Sequence, residues 1–140
     1  MPKLGGQNAQ YVVDALKGYR DGTRTHTTMH AQASTLTDEQ MLAIGKYVQS
    51  LAALQPGEGK PPEKAAQCAA CHGQNGVAAA PNFPNLAGQH QDYLRHALEQ
   101  YKSQARQNVI MVGFAGPLTD DDITTITAYY SGQTGLVTAH

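Results

Sequence analysis

Apolar side chains recur at helical spacing along most of this chain, and the same spacing appears twice. Tyr93, Leu94, Ala97, Leu98 and Tyr101 form one stripe, which predicts an amphipathic helix over about 90–103. Tyr11, Val12, Ala15, Leu16 and Tyr19 draw the same stripe in the first half. Thr37 with Gln40 three positions on reads as a capping box that opens a helix running to about Leu54. Thr119 with Asp122 is a weaker version of that start, opening a helix to about Ser131. A short helix from about Pro62, with proline in its first turn, should lead into the segment around Cys68. No run carries a strand pattern, so the expected fold class is all-α. Gln55-Pro56-Gly57-Glu58-Gly59-Lys60-Pro61 is a linker by composition, and the tail from Gly132 to His140 is expected to be loose.

The doubled stripe belongs to a longer match. Shifted by 82 positions, Pro2 falls on Pro84, Leu4 on Leu86, Gly6 on Gly88 and Gln7 on Gln89. Met29 falls on Met111, Ala33 on Ala115, and Leu36-Thr37-Asp38 on Leu118-Thr119-Asp120. Ile44 and Tyr47 fall on Ile126 and Tyr129. A constant offset held over some 50 residues points to an internal duplication. The expected organisation is a partial first copy over 1–54, a linker over 55–61 and a complete second copy over 62–140.

Composition narrows the picture. The formal charge is -1 and the pI about 6.6, so no field for polyanions or membrane surfaces is implied. No stretch approaches the roughly 18 to 20 apolar residues of a membrane span. Hydrophobic residues make up 41%, mean hydropathy is -0.43, Trp is absent and Phe occurs twice. A small module of that composition buries little by itself and needs a further staple. Both cysteines lie close together, leaving none for a structural disulfide elsewhere.

Those cysteines carry the chemistry. Cys68-Ala69-Ala70-Cys71-His72 is C-x-x-C-H, the attachment signature of a c-type haem. Each thiol adds to one vinyl group, and the adjoining imidazole ligates the iron from one face. The porphyrin would also supply the apolar core that the composition lacks. Iron needs a second axial ligand, and Met111 follows His72 by 39 positions, in a loop between two expected helices just before Gly113. A thioether favours ferrous iron and raises the reduction potential. The commoner fate of a methionine is to fill a core gap, but the upstream motif and the matching Met29 favour the ligand reading. Met29 has the same position in its copy without a haem motif in this chain, so it is a candidate ligand of a second haem.

Other readings of the cysteine pair are weaker. A thioredoxin-like pair wants a preceding strand, and a structural zinc site wants four ligands. His26, His30, His90, His96 and His140 read as surface residues. After the motif, Gly73 and Gly76 would let the backbone pass close to the porphyrin edge, and a carbonyl in the proline-rich stretch that follows could accept the His72 ring N–H. Phe83 and the repeated tyrosines could wall the haem or simply pack helix on helix.

Cys68-Ala69-Ala70-Cys71-His72-Gly73, then Pro81-Asn82-Phe83-Pro84-Asn85-Leu86-Ala87-Gly88-Gln89 and Tyr93-Leu94, resemble class I bacterial cytochromes c. The resemblance is greatest to the tandem two-haem cytochrome c4 type and its single-domain cytochrome c553-type relatives. Tyr19-Arg20-Asp21-Gly22-Thr23-Arg24 and the stretch from Met29 to Asp38 are similar to parts of a first domain. The resemblance implies small all-helical haem domains with His/Met ligation, in the periplasm. It implies Cys68 and Cys71 as thioether anchors, His72 and Met111 as the axial pair, and Met29 as the axial Met of the other haem. The first copy departs from that pattern by lacking its attachment motif, which the offset would put about 14 residues upstream of Met1. The expectation is a shortened two-haem protein whose leader is likewise missing; the alternative is a first copy that has lost its haem.

The function expected is a periplasmic, non-enzymatic carrier of single electrons between redox proteins such as a terminal oxidase, a cytochrome bc complex or a dehydrogenase. Its rival is a haem subunit or domain of a larger periplasmic oxidoreductase complex. A ligand sensor or peroxidase would need an open sixth site, against which Met111 argues.

Overall fold

The computed structural model describes residues 1–138, and among them it contains helices joined by turns, with no strand beyond two isolated bridges. In the first half, α1 (Ala9–Asp21), α2 (Thr27–Ala33) and α3 (Asp38–Ser50) pack together, α1 against both of the others. A 3-10 turn (Glu63–Ala65) and α4 (Ala66–His72) follow. Then α5 (Gln91–Lys102), α6 (Val109–Ala115) and α7 (Asp120–Ser131) repeat the first arrangement, with α5 against α6 and α7. Displaced by 82 positions, α2 coincides with α6, and α1 and α3 match α5 and α7 to within one residue at their ends.

Local chemistry explains the boundaries. Thr37 and Gln40 form a full capping box, and so do Thr119 and Asp122, which makes the second start as firm as the first. Helix α3 stops at Ser50, four residues short of the expected Leu54. The Val48 carbonyl, which would accept from Ala52 in a continuing helix, instead accepts from Gly6 N–H at 2.9 Å and Leu51 N–H at 3.2 Å. A tertiary bond therefore ends the helix. Helix α1 ends on Gly22 in the left-handed region (φ 86), whose N–H reaches the Gly18 carbonyl. Its counterpart after α5 is Gln104, also left-handed at φ 66 and paying the Cβ strain that glycine avoids.

The tail is not loose. Leu136 is buried and donates its N–H to the Ala87 carbonyl at 2.8 Å, and Val137 and Gly5 exchange N–H···O bonds at 3.0 and 2.9 Å. His140, expected at the surface, lies outside the described residues. The segment 55–61 has no regular structure but is tethered, since Asn75 accepts from Gly57 N–H and donates to the Gln55 carbonyl.

Two buried clusters form the core. One joins Ala65, Leu94, Leu118, Ile123, Ile126 and Tyr130, with Cys68, Leu86, Leu98 and Tyr129 against it. The other joins Val13, Leu16, Ala33 and Met41, with Tyr19, Met29 and Leu36 against it. Across the junction, Gln7 exchanges two bonds with the Asn85 backbone, and Gln89 exchanges two with the Lys3 backbone. These two pairs are each other's image at the 82-residue offset. Arg24 faces its own counterpart, Arg106, in an antiparallel bridge, as residues do on an approximate two-fold axis.

Candidate functional site

Helix α4 is two turns long and brings Cys68, Cys71 and His72 together. An i, i+3 pair on a helix shares one face, so both thiols project the same way. Both are free and partly exposed. Burial pushes the Cys68 thiol up, keeping it protonated. His72 is 6% exposed, and its Nδ1 donates to the Pro84 carbonyl at 3.0 Å. A carbonyl can only accept, so the proton is on Nδ1 and the lone pair on Nε2. Burial also drives the imidazole pKa down, against the raising effect of the Pro84 bond, so the ring is neutral at pH 7. Phe83 meets it edge to face, with ring centroids 6.4 Å apart.

The loop after α4 serves this geometry. Gly73 and Gly76 both have positive φ, 84 and 83. A side chain at Gly73 would strike the Val77 carbonyl, and one at Gly76 would come within 2.8 Å of Ala87 N and 2.9 Å of Tyr130. These glycines allow a close approach of the chain to itself. The turn carries Pro84 back over the imidazole. Asn85 holds it there by accepting from Ala78 N–H at 2.8 Å and donating to the Gly6 carbonyl at 3.1 Å.

Met111 is half-buried and lies in the first turn of α6, not in a loop. The Asn108 side chain caps that helix by accepting from Met111 N–H at 3.1 Å, a device the sequence reading missed. Met29 occupies the same place in α2, where His26 Nδ1 accepts from Met29 N–H at 3.2 Å. His26, His30, His90 and His96 are exposed. No three His, Cys, Asp or Glu side chains converge as a metal-ion site among the described residues.

The donor set fits a haem. A neutral buried imidazole offers Nε2, two reduced thiols share its helix, and an apolar cluster adjoins Cys68. Tyr130, a member of that cluster, has a buried hydroxyl with no partner. Burial and the nearby Cys68 raise its pKa, so it is neutral and able to donate. Further off, Arg24, Arg106, Tyr19, Tyr93 and Tyr101 gather where the halves meet, a group legible only as matched positions at the repeat offset.

The cytochrome c family model matches residues 59–132. The chain is 44% identical to a cytochrome c4 from Pseudomonas aeruginosa, over 94% of this chain and 75% of that protein. It is 28% identical to a thiosulfate dehydrogenase electron acceptor from Stutzerimonas stutzeri, over 93% of this chain and 69% of that one. A solved cytochrome c4 from Acidithiobacillus ferrooxidans superposes with a TM-score of 0.80 at 26% identity, covering 94% of this chain and 88% of its own.

Proposed function

The chain belongs to the cytochrome c family, as a cytochrome c4-like electron carrier with haem c as its cofactor, and from that premise we propose which residues hold the haem and where the carrier works. Its all-helical, class I cytochrome c fold and its non-enzymatic, electron-transferring character go with that family. In the proposed site, Cys68 and Cys71 would hold the haem through thioethers, each thiol S–H adding across one vinyl C=C to give a C–S and a C–H bond with no net change in electrons. His72 through Nε2 and Met111 through its sulfur would ligate the haem iron. The bound haem supplies a one-electron ferric/ferrous couple. His72 is fixed in tautomer by its bond to the Pro84 carbonyl, and the Met111 backbone is capped by Asn108.

The observation that carries this reading is the buried, neutral His72 on the helix of two free thiols, its Nδ1–H already spent on Pro84. Met111→Ala tests it. The weak far-red band of Met–iron ligation in the oxidised protein should vanish at this haem while covalent haem remains. Persistence of the band with one haem per chain by intact mass would refute the assignment.

Met29 is read as the axial ligand of a second haem, and the halves as a duplicated pair spanning 1–54 and 62–140. An open helix face supports this. Ile44 and Tyr47 on α3 are 37% and 58% exposed, whereas Ile126 on α7 is 3% exposed. The 3-10 turn leading into α4 packs against α7. The face of α3 thus matches one that, in the second half, seats the haem-bearing segment. A mass equal to two haems in the protein as it is made in its source organism would agree; a single haem there would leave the first half a haem-free lobe.

Thioether attachment of this kind takes place outside the bacterial cytoplasm, so the protein is read as periplasmic. No helix among the described residues is long and apolar enough to cross a membrane. Cell fractionation, with activity markers for each compartment, tests the location. The partners proposed are a dehydrogenase, a cytochrome bc complex or a terminal oxidase. Likeness to a thiosulfate dehydrogenase electron acceptor favours the second reading, a haem subunit of a larger oxidoreductase. Co-purification of a stoichiometric catalytic partner would select that reading over a free carrier.

A further inference from the structure

The carbonyl that orients His72 is held in place by the other half of the chain. Pro84 C=O and Asn85 N–H belong to one planar peptide unit. Its oxygen accepts from His72 Nδ1 at 3.0 Å, and its N–H donates to Gln7 Oε1 at 2.7 Å. Gln7 Nε2 in turn donates to the Asn85 carbonyl at 3.0 Å. On the other side of the proline, Asn8 Nδ2 donates to the Phe83 carbonyl at 2.7 Å. Pro84 has no N–H of its own, so two consecutive residues of the first half grip the backbone on both sides of it. His72, Gln7 and Asn85 are all buried, which leaves little water to replace these bonds. The device recurs at the 82-residue offset. There the Pro2–Lys3 peptide donates its N–H to Gln89 Oε1 at 2.7 Å, and Gln89 Nε2 donates to the Lys3 carbonyl at 2.9 Å.

We propose that Gln7 and Asn8 are positioning residues for the iron ligand of the opposite half, setting through the Pro84–Asn85 peptide how strongly His72 donates to the iron. This inference rests on His72 ligating the haem as argued above. Two effects run along the backbone. Gln7, by accepting from the peptide N–H, polarises the unit and makes the Pro84 oxygen a better acceptor. A better acceptor draws on the Nδ1 proton and makes Nε2 more basic, which favours ferric iron and lowers the reduction potential. Asn8 bonds the preceding peptide unit, so its part is to fix where the Pro84 oxygen lies. A shift in how the halves meet then reaches the iron through one peptide, with no contact between the first half and the haem needed.

The test uses the haem-bearing protein with Gln7→Ala, Asn8→Ala and, as a control, Gln89→Ala, which loosens the same junction on the Lys3 side. Heteronuclear NMR of the ferrous protein follows solvent exchange of the His72 Nδ1–H, and the α7 amides in the same spectra report general loosening. Spectroelectrochemistry gives the potential. In Gln7→Ala and Asn8→Ala the ring proton should exchange about tenfold faster than in the parent, over and above any change in the α7 amides. Gln7→Ala should also shift the equilibrium with a fixed mediator about threefold toward the ferrous form, about 28 mV for one electron. Gln89→Ala should leave the ring proton and the potential as they are in the parent. A ring proton that speeds up no more than the α7 amides, an unchanged potential in Gln7→Ala, or an equal effect from Gln89→Ala overturns the proposal. Asn8→Ala, at a half-buried residue, decides the matter on the ring proton if Gln7→Ala yields no haem-bearing protein. A ring proton with the same frequency in ferric and ferrous protein would count against His72 as a ligand instead, which keeps the two failures apart.

Discussion

Truncating Gln7 to alanine should be among the most damaging single changes away from the haem. Its Nε2 donates to the Asn85 carbonyl at 3.0 Å, and its Oε1 accepts from Asn85 N–H at 2.7 Å and Asn8 N–H at 3.0 Å. Gln7 and Asn85 are both buried, so removing the amide strands an N–H and a C=O on a residue that also positions the loop over His72. Each stranded group costs about 1–3 kcal/mol. Allowing for a water entering the space, the expected loss is about 3 kcal/mol. A chain of this size loses about 3 °C per kcal/mol, so its midpoint should fall by about 10 °C. The image residue Gln89 is an internal control. It makes the same two bonds, at 2.7 and 2.9 Å, but to Lys3, which is only half-buried and can rebond to water. Gln89→Ala should therefore cost about 1 kcal/mol. Guanidinium unfolding of the holoprotein, followed by circular dichroism, measures both. Equal costs for the pair, or a loss under about 1 kcal/mol for Gln7→Ala, would refute the reasoning.

Gly73→Ala forces a side chain into a left-handed residue and against the Val77 carbonyl, so it should cost at least about 2 kcal/mol and lower the yield of haem-bearing protein, read from absorbance per chain. Gln104→Gly should act the other way, relieving left-handed strain at an exposed site and raising stability by about 0.5–1 kcal/mol in the same unfolding assay. Thr119→Ala removes the α7 cap and should cost about 1 kcal/mol. The Asp122 carboxyl is held below its usual range, chiefly by the Thr119 backbone N–H. A depressed folded pKa gives stability that is present above the unfolded value of about 3.9 and is lost as pH falls through the folded value, so Asp122→Asn should flatten the acid arm of a stability–pH curve. Replacing Cys68 and Cys71 together by alanine should leave a protein with native-like helix content, weak near-ultraviolet signal and rapid amide exchange in α5 and α7; unfolding at the same denaturant concentration as the haem-bearing protein would refute that.

Helices were legible where side chains decide them alone. The stripes of α1 and α5 and the boxes at Thr37 and Thr119 need only local spacing, and the structure has them there. The end of α3 was not legible, because Gly6, far away in sequence, takes the Val48 carbonyl. The tail misled for the same reason: Leu136 and Val137 look like a loose end until Ala87 and Gly5 are known to lie alongside. At the site, the cysteines and His72 could be named from the motif, but the carbonyl that orients His72 depended on a turn closing through Gly76, whose carbonyl takes both Leu86 and Ala87 N–H. Helix placement of Met29 and Met111 was missed because histidine and asparagine caps carry no apolar period.

The two small clusters explain why attachment is covalent in a molecule like this. Neither contains a Phe or Trp, and each counts an alanine, Ala65 or Ala33, among its few buried members. At about 25 cal/mol per Å2, so little apolar area leaves each half near the margin of stability. A large flat apolar group bonded beside the cluster that Cys68 adjoins would supply further area, and its binding free energy would then become folding free energy. A dissociable ligand would give that stabilisation only at sufficient concentration. Two thioethers on α4 make the concentration effectively constant, because the group never leaves the chain. On the proposed assignment, the same bonds would spare His72 and Met111 the task of retaining the haem and leave their chemistry to set its potential. That assignment would divide stability and redox tuning between neighbouring residues of one short helix and a capped methionine.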